Sequence, residues 1–152
     1  MRIGVGADTN GVALKDAVRD HLIALGHEVR DFGGTRAEEI DYPDVAEPVA
    51  RAVAAGELDR AVLVCGTGLG MAIVANKVPG VRAAPVTDPY SAERAMKSNK
   101  AQVLCLGGKV LGTDVALLLV DHWVNSDFAG GASARKVAKI DALDRKLAES
   151  EG

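Results

Sequence analysis

Seven consecutive residues, Cys65-Gly66-Thr67-Gly68-Leu69-Gly70-Met71, place a thiol, a hydroxyl and three glycines at one strand-to-helix turn. Ahead of them, Arg60-Ala-Val-Leu-Val-Cys65 forms the largely apolar run expected of a parallel strand buried on both faces. The cysteine therefore falls where a buried strand opens into a crevice. Glycines at 66, 68 and 70 let a ligand approach successive backbone N–H groups, and the segment 70–76 offers a helix N-terminus to the same ligand. Such a turn holds an anion and keeps a proton carrier beside it. The absence of Gly-Lys-Ser/Thr argues against a nucleotide-phosphate loop, and G-x-G-x-G is not the G-x-G-x-x-G of a dinucleotide site. On these residues alone two readings stand level: an anion hole with a cysteine at its lip, or a small buried hydrophobe ending a strand.

The elements that must position this turn alternate apolar runs with amphipathic stretches, the pattern of βαβ units and a parallel sheet covered on both faces. Strands are expected at 2–6, 28–32, 60–65, 81–86 and 102–106. Between and after them, helices are expected at 11–25, 43–55, 70–76, 91–97 and 113–124. In the first helix Leu14, Val18, Leu22 and Leu25 follow the 3.6-residue period, and Gly26 closes it. A final charged helix at about 132–148 carries Val137, Ile140, Leu143 and Leu147 on one stripe, to pack on its own sheet or on a partner subunit.

The chain has 152 residues, 48% hydrophobic and 26% charged, which predicts one globular domain over 1–152. A formal net charge of −3 with both signs interspersed, and only 3% aromatics, provide neither a basic stripe nor a stacking platform for nucleic acid. No apolar run reaches a membrane span and no signal segment opens the sequence, so the expected location is cytoplasmic, with Cys65 and Cys105 reduced. Three histidines and two separated cysteines form no metal-ligand pattern, and no cofactor is expected.

In an open parallel sheet, ligands bind beyond the carboxyl ends of the strands. The polar residues there are Asp8, Thr9 and Asn10, Asp41 and Tyr42, Cys65 and Thr67, Thr87 and Asp88, and Lys109. Each has a plain structural alternative: Asp8 or Asn10 as a helix cap, Asp88 as the start of a turn before Pro89. Their convergence with the glycine turn on one edge favours a site.

Taken in order, Gly6-Ala-Asp8 with Gly11 and Leu14-Lys15, Asp41-Tyr42-Pro43-Asp44, the Cys65–Met71 turn, Ala75-Asn-Lys-Val-Pro-Gly80 with Arg82, Tyr90-Ser-Ala92, Asn99 and Gly130-Gly131 resemble the ribose-5-phosphate isomerase B family, which includes the galactose-6-phosphate isomerase subunits. The resemblance runs from residue 2 to about 140. It implies a Rossmann-like three-layer α/β/α sandwich on a five-stranded parallel sheet, and a homodimer or tetramer whose active sites draw on both chains. The implied reaction is metal-free interconversion of an aldose and a ketose through a cis-enediolate. In that family the residue matching Cys65 is the carbon base, and a thiol at an anion hole is favoured as the thiolate a base needs. By the same resemblance the N–H groups of Gly66, Thr67, Gly68, Leu69 and Gly70, with Asn99, hold the enediolate, Thr67 moves the hydroxyl proton, and Asp8 and Tyr42 bind substrate.

The sequence departs from the family at positions that choose the substrate. Ribose-specific members carry histidine where this chain has Thr9 and Ser98, and hydroxyls are far poorer carriers for furanose ring opening. Arginines that clamp a phosphate are replaced by Lys109, Ala132 and Lys136, which keeps positive charge but loses the bidentate fork. An aldotetrose 4-phosphate cannot close a furanose ring, so the expected substrate is a short sugar phosphate such as erythrulose 4-phosphate. The alternatives are ribose 5-phosphate, an unphosphorylated sugar, or a non-catalytic sugar-binding subunit of the same fold.

Overall fold

Unbroken apolar runs become the middle of the sheet. In the computed structural model, which describes residues 1–34 and 39–150, β3 (Arg60–Cys65) and β5 (Val103–Gly107) are buried along their whole length, and β1 (Arg2–Ala7) after its first residue. The polar run Glu28–Asp31 forms the edge strand β2, and Ala83–Pro85 forms the opposite edge strand β4. All pairings are parallel, in the order β2-β1-β3-β5-β4. The expected five-stranded α/β fold is therefore present. Strand 81–86 is shorter than its apolar pattern suggested: at its start Arg82 turns its N–H to the Gln102 side chain, while past Pro85 a single further bond, the Val86 N–H to the Cys105 carbonyl at 3.2 Å, is made outside the strand.

Two apolar clusters cover the two faces. Helices α1 (Val12–Ala24), α4 (Pro89–Lys97) and α5 (Thr113–Val124) bury Leu14, Val18, Leu22, Met96, Leu119 and Trp123 on one side. Helices α2 (Tyr42–Ala54) and α3 (Leu69–Ala75) bury Val45, Val49, Met71 and Ala72 on the other, together with both cysteines. Removing such side chains from water stabilises the fold by about 1.5–3 kcal/mol each. Gly26, at φ +92, stops α1 as expected, but Leu25 caps the helix with 47% exposure and drops out of the apolar stripe.

The last helix, α6 (Ala132–Ser150), does not lie down on the sheet. Val137 alone is buried, while Ile140, Leu143 and Leu147 stay exposed. The helix is tied instead by ions and hydrogen bonds: Arg82 to Asp141 at 2.8 Å, and the Gly80 N–H to Asp144 at 2.8 Å. Between it and the β4 edge lies a groove of about 500 Å³ lined by Val81, Pro85, Asn99, Ile140, Leu143 and Leu147. No described helix is long and apolar enough to cross a membrane.

Candidate active site

The strand order reverses direction at β1: the chain goes from β1 outward to β2, then returns to place β3 on the other side. That makes the carboxyl ends of β1 and β3 the switch point where open α/β sheets bind ligands. Asp8 leaves β1 there and Cys65 ends β3 there, joined by the Asp8 N–H to the Val64 carbonyl at 3.2 Å.

The turn after β3 is shaped by what its glycines must avoid. Gly68 takes the left-handed conformation (φ +82) that begins α3, and a Cβ on it would meet the backbone of Leu106 at 3.1 Å. The Gly68 N–H donates to Sγ of Cys65 at 3.1 Å. The Leu69 N–H is taken by the Thr67 hydroxyl at 3.2 Å. Among the described residues the N–H groups of Gly66, Thr67 and Gly70 meet no acceptor, and they form a cradle beside the sulfur. Cys65 is buried to 4% exposure, whereas Thr67 faces solvent. α3 is only seven residues long, so the free turn amides, rather than a helix dipole, supply most of the field.

Around this cradle the other expected residues fall into two groups. At the carboxyl edge, the Tyr42 ring lies on Gly70, where an added Cβ would be 2.6 Å from the ring. Lys109 runs its stem over Gly66, and its N–H donates to the Gly66 carbonyl at 3.0 Å. Its ammonium has no ion-pair partner among the described residues. Asp8 is buried and accepts the Asn10 N–H at 2.9 Å, while Thr9 accepts the Ile40 N–H at 2.9 Å. Asp8, Thr9, Asn10, Glu39, Ile40, Asp41 and Tyr42 enclose a cavity of about 360 Å³. Three carboxyl side chains on this wall and a lone ammonium on the other side would drive an anionic group toward Lys109.

Ser98, Asn99 and Lys136 are elsewhere. Ser98 caps α4 and Asn99 follows it, just before β5 begins, so both stand at the amino edge of the sheet. β5 runs parallel to β3 with Val103 beside Ala61 and Gly107 beside Cys65, which separates the two edges by about 13 Å of strand. Lys136 belongs to α6 and is exposed. Within one chain, then, Asn99 does not meet Cys65. Asp88 takes its structural alternative: it caps α4 by accepting the Ser91 N–H at 2.8 Å, which holds its carboxyl below the usual range. Cys105, one strand away from Cys65 and fully buried, has its thiol pushed up by burial and serves the core.

Sequence reasoning did not place Glu39 or Ile40 at the crevice. Ile40 contributes a backbone N–H, which carries no side-chain signal. Glu39 sits two residues before Asp41 and was legible only as another surface acid.

The Ribose/Galactose Isomerase family model matches residues 3–140. The chain belongs to that family. It is 45% identical to ribose-5-P isomerase B of Listeria innocua over 96% of this chain and 99% of the relative. It is 46% identical to D-erythrulose-4-phosphate isomerase of Pectobacterium atrosepticum over 92% and 93%. The structure of ribose-5-phosphate isomerase B from Clostridium thermocellum superposes with a TM-score of 0.94 at 47% identity, covering 97% of this chain and 99% of that one. Membership in the Ribose/Galactose Isomerase family makes the chain an aldose–ketose isomerase, and the Rossmann-like layering is that of its relatives.

Proposed function

We propose that this Ribose/Galactose Isomerase family member interconverts a tetrose 4-phosphate pair, such as erythrulose 4-phosphate and erythrose 4-phosphate. The observation that carries the reaction is the Cys65 sulfur beside three unpartnered backbone N–H groups. The Cys65 thiolate removes a proton from C1 of the ketose, and the electron pair of that C–H bond forms the C1–C2 double bond while O2 takes the negative charge. The N–H groups of Gly66, Thr67 and Gly70 stabilise that charge, a contribution of several kcal/mol in a preorganised site. The thiol then returns the proton to C2, and the Thr67 hydroxyl passes the hydroxyl proton from O1 to O2. Asp8 and Tyr42 bind hydroxyls, and Lys109 takes the phosphate as a point charge.

The substrate length rests on Thr9. Identity does not choose, since the ribose-named and erythrulose-named relatives are equally close. Thr9, however, has its hydroxyl oxygen occupied by Ile40, which suits a substrate with no ring to open. A panel of tetrose, pentose and hexose phosphates with their free sugars tests this. Highest kcat/KM on the tetrose phosphates is expected, and ribose 5-phosphate as clearly the best substrate would overturn it.

The site is completed by a second copy of the chain. Asn99 lines the apolar groove under α6, Ser98 precedes it at the amino edge, and Lys136 stands exposed on α6. A homodimer that covers Ile140, Leu143 and Leu147 brings one protomer's Asn99 to the other's Cys65, where its amide joins the cradle and Lys136 of the same protomer adds charge for the phosphate.

A further inference from the structure

Thr9 is an exposed residue on the wall of the crevice, and its side-chain oxygen is held by the backbone of a segment far along the chain. Oγ1 accepts the Ile40 N–H at 2.9 Å across a separation of 31 residues. From Ile40 the chain runs through Asp41 in extended conformation (φ −78, ψ 136) to Tyr42, the first residue of α2. The Tyr42 ring then rests on Gly70, so closely that a Cβ there would stand 2.6 Å from Cε2 and 2.7 Å from Cζ. The short arm 40–42 is thus fastened at two points, one on the end of β1 and the other on the cysteine turn. Asp41 gives no side-chain hydrogen bond to the start of α2, so its own carboxylate does not hold the arm.

We infer that Thr9 is a positioning residue that latches the Ile40–Tyr42 arm over the crevice and so sets where Tyr42 meets the substrate. The inference rests on the site assigned above, with Tyr42 facing substrate, but not on the substrate's chain length. An arm two residues long transmits a shift at Ile40 directly to the Tyr42 ring. The ring in turn covers the N–H cradle at Gly70, so losing the latch loosens substrate binding without touching the sulfur or the amides that do the proton transfer. Thr9 in this role needs an acceptor at its own position and no titrating group. Beside it Asp8 accepts the Asn10 backbone N–H, while Thr9 is the residue whose side chain accepts a hydrogen bond from the arm.

Valine has the shape of threonine without the hydroxyl, and serine keeps the hydroxyl without the methyl, so the pair separates the hydroxyl's hydrogen bonding from the methyl's packing. Each variant is assayed on whichever sugar phosphate the wild type turns over best, which separates the latch from the question of chain length. Thr9→Val is expected to raise KM about tenfold with kcat within about twofold, the loss of one hydrogen bond that acts on binding. Thr9→Ser restores KM to near the wild-type value. Wild-type KM in Thr9→Val, or Thr9→Ser as poor as Thr9→Val, overturns the latch. A fall in kcat at unchanged KM overturns it too, because it makes Thr9 a proton carrier. If ribose 5-phosphate proves the best wild-type substrate while valine still raises KM and serine rescues it, the tetrose reading fails and the latch stands.

Discussion

The Gly68 N–H points at the Cys65 sulfur from 3.1 Å, although the same residue could have spent that donor on continuing the backbone ladder. The turn through Gly66 and Thr67 brings it there, and at Gly68, in the left-handed conformation, a Cβ would crowd the Leu106 backbone at 3.1 Å. That hydrogen bond fixes the sulfur at the mouth of the turn, where a base for a carbon proton has to stand. Cys65→Ala is therefore expected to lower kcat at least about 100-fold, the usual contribution of a positioned base. Cys105→Ala, buried in the core one strand away, is expected to cost about 1 kcal/mol of stability and leave kcat within a few-fold. Steady-state kinetics and urea melts on the two variants check both outcomes. Equal losses of activity in both would remove Cys65 from its special place.

Gly70 is limited by the Tyr42 ring rather than by its own backbone. An alanine methyl would have to push the ring off the turn or tilt the start of α2. Gly70→Ala is expected to lower kcat/KM on the order of tenfold or more and to destabilise by about 1–3 kcal/mol through overpacking. Combining it with Tyr42→Ala removes the clash, so the double variant regains stability over Gly70→Ala alone while its KM stays high. A double-mutant cycle with thermal melts and kinetics measures that coupling. Additive stability losses would show that the ring and Gly70 do not touch in solution.

The order of elements was legible because burial on two faces writes itself as continuous apolar runs, most plainly at Arg60–Cys65 and Val103–Gly107. The glycine turn was legible because few uses exist for alternating glycines after such a strand. Leu25 misled, and the α6 stripe was read with two alternatives open, for one reason: periodicity records which residues share a face, but not what covers it. The separation of Asn99 from Cys65 was available in principle. In a parallel sheet a residue that ends a helix and precedes a strand belongs to the amino edge, and Ser98-Asn99 stand there. Motif matching joined them to Cys65, while strand polarity holds them apart. The burial of Lys15 was not legible, since its partner Asp31 is brought in by the β1–β2 pairing.

That separation has a sharp consequence for mixed dimers. If a site takes Cys65 from one protomer and Asn99 from the other, Cys65→Ala and Asn99→Ala homodimers are each deficient at both sites. A heterodimer of the two collects both lesions in one site and leaves the second intact. Random reassortment then restores about a quarter of wild-type activity, since half the dimers are mixed and each holds one good site. Refolding the two variants together and assaying against each refolded alone makes the measurement. No recovery on mixing would mean that Cys65 and Asn99 of one chain serve the same site, or that Asn99 serves none.

Part of the acid sensitivity of the fold is expected at Asp31. Its carboxyl is partly buried, which opposes ionisation, but the Gly33 N–H, Arg19 and Lys15 outweigh burial and hold it below the usual carboxylate range. Lys15, almost wholly buried, donates to both Asp31 oxygens at 3.1 Å and to the Gly34 carbonyl at 3.2 Å, so the pair fastens the chain leaving β2. With the folded value depressed, the unfolded chain binds more protons as pH falls past about 4, the ordinary aspartate value. The contribution is therefore complete above that pH and is lost progressively as pH falls through the folded value. Asp31→Asn removes the titrating group and leaves Lys15 short of a counter-charge, at an expected cost of about 1–3 kcal/mol near pH 7. Its stability should then fall less steeply than the wild type's as pH drops from about 5 through the depressed folded value of Asp31. Urea midpoints across that range give the two slopes. Parallel slopes would mean that Asp31 has no depressed value in the folded state, and that the acid limb is set by other carboxylates such as Asp59, which Arg2 also holds low.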